Sequence, residues 1–140
     1  MAIEEMYTRL ITEHSRDKRN RREMPEATHS HRGVNPSCGD EITLRLREED
    51  GVIKDAAFTG SGCAISQASA SMMADLLTGR TAEDAKRLAE LFLGMIRGDV
   101  TDEAQLEELE EAISLRGVAK MPARVKCAVL PWHTLQESLK

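Results

Sequence analysis

No apolar run in this chain approaches the length of a membrane-spanning helix, so a role built on a helical span is not expected. The basic-then-apolar order of a secretory leader is missing too. Met1-Ala2-Ile3-Glu4-Glu5 places acids there, and the expected location is the cytoplasm. There is no surplus of positive charge: the formal net charge is −5, which argues against nucleic acid as a partner. Cysteine is scarce. The three present, Cys38, Cys63 and Cys127, are odd in number, far apart and without a CxxC pair. In a cytosolic protein this speaks against a disulfide framework and leaves thiols that are reactive, metal-binding or merely buried. The glycine-rich turn Gly60-Ser61-Gly62 opens a helix but lacks the Lys-Ser/Thr ending of a phosphate-binding P-loop, so it is not read as one.

What is present suits one soluble globular domain over residues 1–140, with 41% hydrophobic and 31% charged residues. Ile3, Met6, Tyr7, Leu10 and Ile11 predict an amphipathic helix over 3–14. Arg16, Lys18, Arg19, Arg21 and Arg22 then form a basic run closed by Pro25. It reads as a solvated connector, with a docking patch for an acidic partner as the sharper alternative. Residues 27–34 make a poor strand on which His29 and His31 would share a face. Both are candidate metal ligands, or polar residues of an edge strand. Ile42, Leu44 and Leu46 alternate with Thr43, Arg45 and Arg47 as a one-faced strand, and Asp50-Gly51 turns it into a return strand over Val52–Thr59.

Helices are expected to cover that sheet. Ile65, Met72 and Leu76 give the apolar face of one beginning after Cys63. Thr81-Ala82-Glu83-Asp84 resembles a capping box opening a second, which Gly98 ends, with Ala85, Leu88, Leu91, Phe92 and Met95 inward. A weaker pattern over 102–113 turns Leu106, Leu109 and Ile113 inward and its glutamates outward. Pro131 has no N–H and suits a first helical turn, so the last helix is expected to start near 128–130, with Cys127 at its edge.

The stretch Asn35-Pro36-Ser37-Cys38-Gly39-Asp40 sets a thiol and a carboxylate either side of a glycine. Gly39 can take backbone angles that let both side chains turn to one point. Cys63 falls at a helix N-terminus, where unpaired N–H groups and the macrodipole favour thiolate. All three cysteines are thus expected at element ends, with Arg124 and Lys126 beside Cys127. Three thiolates and Asp40 would make a tetrahedral zinc site or a set of ligands for an iron–sulfur cluster.

Three motifs follow one another along the chain: Asn35-Pro36-x-Cys38-Gly39-Asp40, then Gly60-x-Gly62-Cys63-x-Ile65-Ser66-x-Ala68-Ser69-Ala70-Ser71, then Pro122-x-Arg124-x-Lys126-Cys127-Ala128. Together they resemble the U-type iron–sulfur cluster assembly proteins, the IscU/SufU/NifU N-terminal family. Lys126 stands where the scaffold branch has a histidine, and the long path through residues 80–117 looks like the insertion of the SufU branch. The resemblance implies an α+β fold, a small three-stranded antiparallel sheet packed against several helices (SufE/NifU-like). It implies a zinc-dependent sulfurtransferase that accepts persulfide sulfur from a SufS-type cysteine desulfurase and passes it to downstream iron–sulfur assembly proteins. Cys38, Asp40, Cys63 and Cys127 match the zinc ligands. Cys38 is the expected sulfur acceptor, leaving the metal to react because its turn is hinged while helix starts hold the other two, and Arg124 supplies supporting charge. The alternatives are a scaffold on which a transient [2Fe–2S] cluster is built on the same residues, and a binding module whose zinc is only structural.

Overall fold

Asp50 and Gly51, with φ of 53° and 78°, form a two-residue turn whose twist matches that of the strands it joins. In the computed structural model, which describes residues 3–37 and 39–140, this turn links β2 (Asp40–Glu49) to β3 (Val52–Ser61). β1 (His29–Asn35) pairs with the other side of β2, giving an antiparallel sheet in the order β1-β2-β3. Asn35 lies opposite Asp40, so the connection holding Cys38 closes the β1–β2 hairpin. Leu44 and Leu46 point into the core with no exposed surface, while Thr43 and Arg45 alternate with them on the other face. The strand over 27–34 is therefore real despite its low apolar content. Pairing to β2 and packing on the last helix hold it where its own propensity would not.

Five α-helices cover the sheet. α1 spans Ile3–Arg16, α2 Ala64–Leu77, α3 Ala82–Arg97, α4 Glu103–Leu106 and α5 Pro122–Ser138. α2 runs through the middle, buried along nearly its whole length from Ser66 to Leu77 except at Asp75. Its alanines and serines let α1 and α5 approach closely on either side. The Thr81 side chain caps α3 by accepting from the Asp84 N–H, and Gly98, at φ 83°, ends it. Leu88, Phe92 and Met95 of α3 are buried as the spacing predicts. The Phe92 ring stacks on Trp132 of α5 with centroids 4.3 Å apart and planes 9° from parallel.

Three expectations are corrected. Met6 of α1 is 48% exposed, so the apolar face of that helix is carried by Leu10 and Ile11 and continues to the buried His14. Residues 102–113 are not one α-helix. α4 gives way to a 3₁₀ segment, Glu107–Lys120, broken at Glu110, whose φ of 52° and ψ of −130° are not helical. The last helix begins at Pro122, not near 128–130. Pro122 takes the first-turn position that suits proline, and Pro131 lies inside the helix at the cost of one backbone hydrogen bond.

Candidate metal centre

Asp40 opens β2 and is 1% exposed, a burial that an unpaired carboxylate resists. Its Oδ1 accepts the Cys63 N–H at 3.0 Å and the Ser66 hydroxyl at 3.3 Å. Oδ2 has no hydrogen-bond partner among the described residues. Cys63 is the N-cap of α2, with extended backbone and no side-chain cap bond, so its sulfur is not used to close the helix. Gly62 before it fits because it lacks a side chain: a Cβ there would run into the Ser66 hydroxyl and Asp40 Oδ1. Gly39, at φ 72°, takes the left-handed turn that brings the chain into Asp40.

Cys127 comes from the second turn of α5 and is completely buried. That differs from the expected helix edge, because the helix starts five residues earlier, at Pro122. Even so, one ligand atom from each of Asp40, Cys63 and Cys127 lies within 4.8 Å of the other two. Burial first, then the neighbouring Asp40 carboxylate and Cys63 sulfur, push the Cys127 thiol well above its ordinary range. Without a cation, then, this group of acids resists collecting negative charge. The Arg124 guanidinium, one turn earlier on an exposed surface, is held further towards its charged form by hydrogen bonding to Cys127 and by the nearby Cys63.

Two sulfurs and a carboxylate oxygen, buried and converging with one oxygen left unpartnered, form a donor set that fits zinc or an iron–sulfur cluster. Cys38, the expected fourth member, lies outside the described residues. His29 and His31 are not among these groups. His29 Nε2 lies 3.5 Å from Glu48, and both histidines are on β1, the strand packed on α5.

Two of the five cations in the basic run are ion-paired within the chain, Arg19 with Asp17 and Asp75 and Arg22 with Asp55. Partners 56 and 33 residues away cannot be seen in a run of like charges.

Two residues to which the sequence alone assigned no role matter here. Ser66 supports Asp40, and its signal was its place three residues after the cysteine that opens α2. His14 is 5% exposed, its ring bonded to the Ser71 hydroxyl and to Glu111, each at 2.8 Å. It joins α1 to α2 and to the 3₁₀ segment, and its helical spacing from Leu10 and Ile11 was the available clue.

Comparison with known proteins gives a consistent set of matches. The model of the NifU-like N-terminal domain matches residues 6–128. The chain is 44% identical over 140 residues to a Thermotoga maritima protein named iron–sulfur cluster assembly scaffold protein IscU, covering 100% of this chain and 96% of the other. It is 35% identical over 138 residues to the zinc-dependent sulfurtransferase SufU of Bacillus subtilis, covering 98% and 91%. A crystal structure from Fervidobacterium islandicum AW-1, described as an iron–sulfur cluster assembly scaffold for the SUF system, superposes with a TM-score of 0.87. It is 37% identical, with 94% of each chain covered.

Proposed function

The chain belongs to the NifU-like N-terminal domain family, the family of IscU and SufU, and on that premise we propose that it accepts sulfur for iron–sulfur cluster assembly from a cysteine desulfurase, in the manner of a zinc-dependent sulfurtransferase. The observation that carries this reading is the convergence of Asp40, Cys63 and Cys127 beneath the Arg124 guanidinium. With Cys38 these residues would hold zinc. When bound, the metal keeps its thiols deprotonated at neutral pH and ties three segments of the chain together.

The chain's own residues supply the rest. The Cys38 thiolate attacks the outer sulfur of the desulfurase's persulfide. A sulfur–sulfur bond forms at Cys38, the desulfurase's sulfur–sulfur bond breaks, and the electron pair leaves with the desulfurase thiolate. No outside oxidant or reductant is needed. Asp40 is held in place by the Cys63 N–H and the Ser66 hydroxyl. Arg124 steadies the negative charge carried by the sulfurs beside it.

A second reading has its own support. The Thermotoga maritima relative is named a scaffold, and the same four residues would hold a [2Fe–2S] cluster as cargo. Lys126 precedes Cys127 where the scaffold branch is expected to have histidine, which favours the sulfur-acceptor reading. The test is to incubate the purified protein with a cysteine desulfurase and cysteine, measure turnover and metal content, and locate the added sulfur by peptide mass spectrometry. We expect about one zinc per chain, faster turnover, and the extra sulfur on Cys38. A stable coloured iron–sulfur chromophore without zinc would favour the scaffold. A persulfide on Cys127 would overturn the Cys38 assignment.

A further inference from the structure

The two oxygens of the buried Asp40 carboxylate have different surroundings. Oδ1 takes the Cys63 N–H at 3.0 Å and faces the Ser66 hydroxyl at 3.3 Å, whereas Oδ2 has no partner among the described residues. Ser66 lies in the first turn of α2 and is 5% exposed, so bulk water does not replace its hydroxyl. That hydroxyl has one proton and two claimants, the Cys63 carbonyl at 3.0 Å and Asp40 Oδ1 at 3.3 Å. Length alone favours the carbonyl. The Cys63 carbonyl, however, already accepts the Gln67 N–H at 3.1 Å, the opening bond of the helix. Asp40 is the acidic partner, and a hydrogen bond to an ionised acceptor is roughly twice as strong as one between neutral groups. The proton therefore goes to Asp40.

We infer that Ser66 is a positioning residue that makes Asp40 a one-oxygen ligand. The inference rests on the reading of Asp40, Cys63, Cys127 and Cys38 as a metal centre. With the Cys63 N–H and the Ser66 hydroxyl both on Oδ1, that oxygen has no acceptor capacity to spare, and Oδ2 alone is left for a metal. The second torsion of an aspartate is broad and two-fold. Without the hydroxyl, the carboxylate is free to turn and offer both oxygens. Held to one, it completes a four-coordinate set with three thiolates. Its other oxygen then cannot take the place that the Cys38 thiolate gives up when it reacts. Gly62 protects the arrangement, since a Cβ there would run into the Ser66 hydroxyl and Asp40 Oδ1.

The test loads the full chain, reduced and free of air, with cobalt(II) as a visible stand-in for zinc. The unaltered protein should show a thiolate-to-cobalt charge-transfer band and the intense d–d bands of four-coordinate cobalt. Ser66→Ala should keep the charge-transfer band but weaken the d–d bands towards a five-coordinate pattern. Its cobalt affinity, read by competition with a chelator, should fall about tenfold to a hundredfold, as for other losses of a group that orients a metal ligand. Gly62→Ala keeps the hydroxyl but crowds it, and Gly62 is not among the residues of positive φ; its spectrum should change in the same direction. Ser71→Ala removes another buried hydroxyl of α2, one bonded to His14, and should lower stability while leaving the spectrum as it was.

A missing charge-transfer band in the unaltered protein would remove the metal centre itself, and this inference with it. With that band present, three results would overturn the role of Ser66 alone: a five-coordinate spectrum in the unaltered protein, a folded Ser66→Ala or Gly62→Ala that keeps the parent spectrum, or a Ser71→Ala that changes it as much. If Ser66→Ala does not fold, Gly62→Ala and the spectrum of the unaltered protein decide.

Discussion

Ser69 is fully buried at the crossing of α2 and α5, and its removal gives the sharpest test of how the metal centre is held together. Its hydroxyl donates to the Ala128 carbonyl at 2.6 Å and accepts the Trp132 indole N–H at 3.0 Å. Ser69→Ala strands that buried N–H in an apolar core and takes one partner from a carbonyl beside Cys127. A buried donor left unmet costs about 1–3 kcal/mol, and the lost carbonyl bond adds about 0.5–1.5 kcal/mol. The expected loss is therefore about 1.5–4.5 kcal/mol, with a fall in melting temperature on the order of 10 °C for a chain of this size. Trp132 is the single tryptophan, so urea unfolding followed by its fluorescence reports on this contact itself. A double-mutant cycle with Trp132→Phe, read by far-UV circular dichroism, should show coupling of about 1 kcal/mol between the two sites. A loss below about 0.5 kcal/mol, or strictly additive variants, would refute the claim that this serine locks the two cysteine-bearing helices in register.

Other expectations are simpler to state. Glu110→Gly should raise stability by about 1 kcal/mol in thermal or urea unfolding, because Glu110 holds a φ of 52° and its ion pair with Arg80 is surface-exposed. Asp84 is held below its ordinary value of 3.8, chiefly by its hydrogen bond to Arg87, with Arg80 adding to it. The unfolded chain therefore binds the proton more readily, and stability present above pH 3.8 is lost as pH falls below it. The urea midpoint of Asp84→Asn should accordingly fall less steeply than that of the parent on acidification through this range. Stripping metal with a chelator should lower the melting temperature clearly, since the candidate ligands Asp40, Cys63 and Cys127 lie at β2, the start of α2 and α5; an unchanged curve would show that packing alone holds these segments. Cys127→Ser should cost more stability than Cys38→Ser, because Cys127 is completely buried.

The strands and the long helices were legible because their apolar residues repeat at periods of two and 3.6, and the β2–β3 turn because Asp50-Gly51 has few other uses. Asp40 and Cys63 were legible from local chemistry, a glycine turn in one case and a helix start in the other. The start of α5 was misplaced because two prolines, Pro122 and Pro131, competed for one rule about first turns, and only packing of Trp132 against Phe92 and Ser69 settles which of them the helix runs through. Residues 102–113 were misread because their leucines satisfy a helical spacing that the Glu110 backbone interrupts. The pairing of Arg19 with Asp75 and of His14 with Glu111 joins residues 56 and 97 positions apart. Such partners are set by the tertiary fold, and no local pattern announces them.

Pro131 gives α5 two mechanically different halves. Lacking an N–H, it leaves the Cys127 carbonyl without its usual partner one turn on, so the backbone ladder is interrupted just past the cysteine. The half after the break is anchored by Trp132, whereas the half before it carries Arg124, Lys126 and Cys127 and leaves Arg124 and Lys126 at the surface. Amide protons of residues 123–130 should then exchange with solvent sooner than those of 132–138, with Ser69 restraining the early half through Ala128 and Thr134 through Leu130. The ladder of α5 is thus weakest directly after the residue that brings its buried sulfur to Asp40 and Cys63.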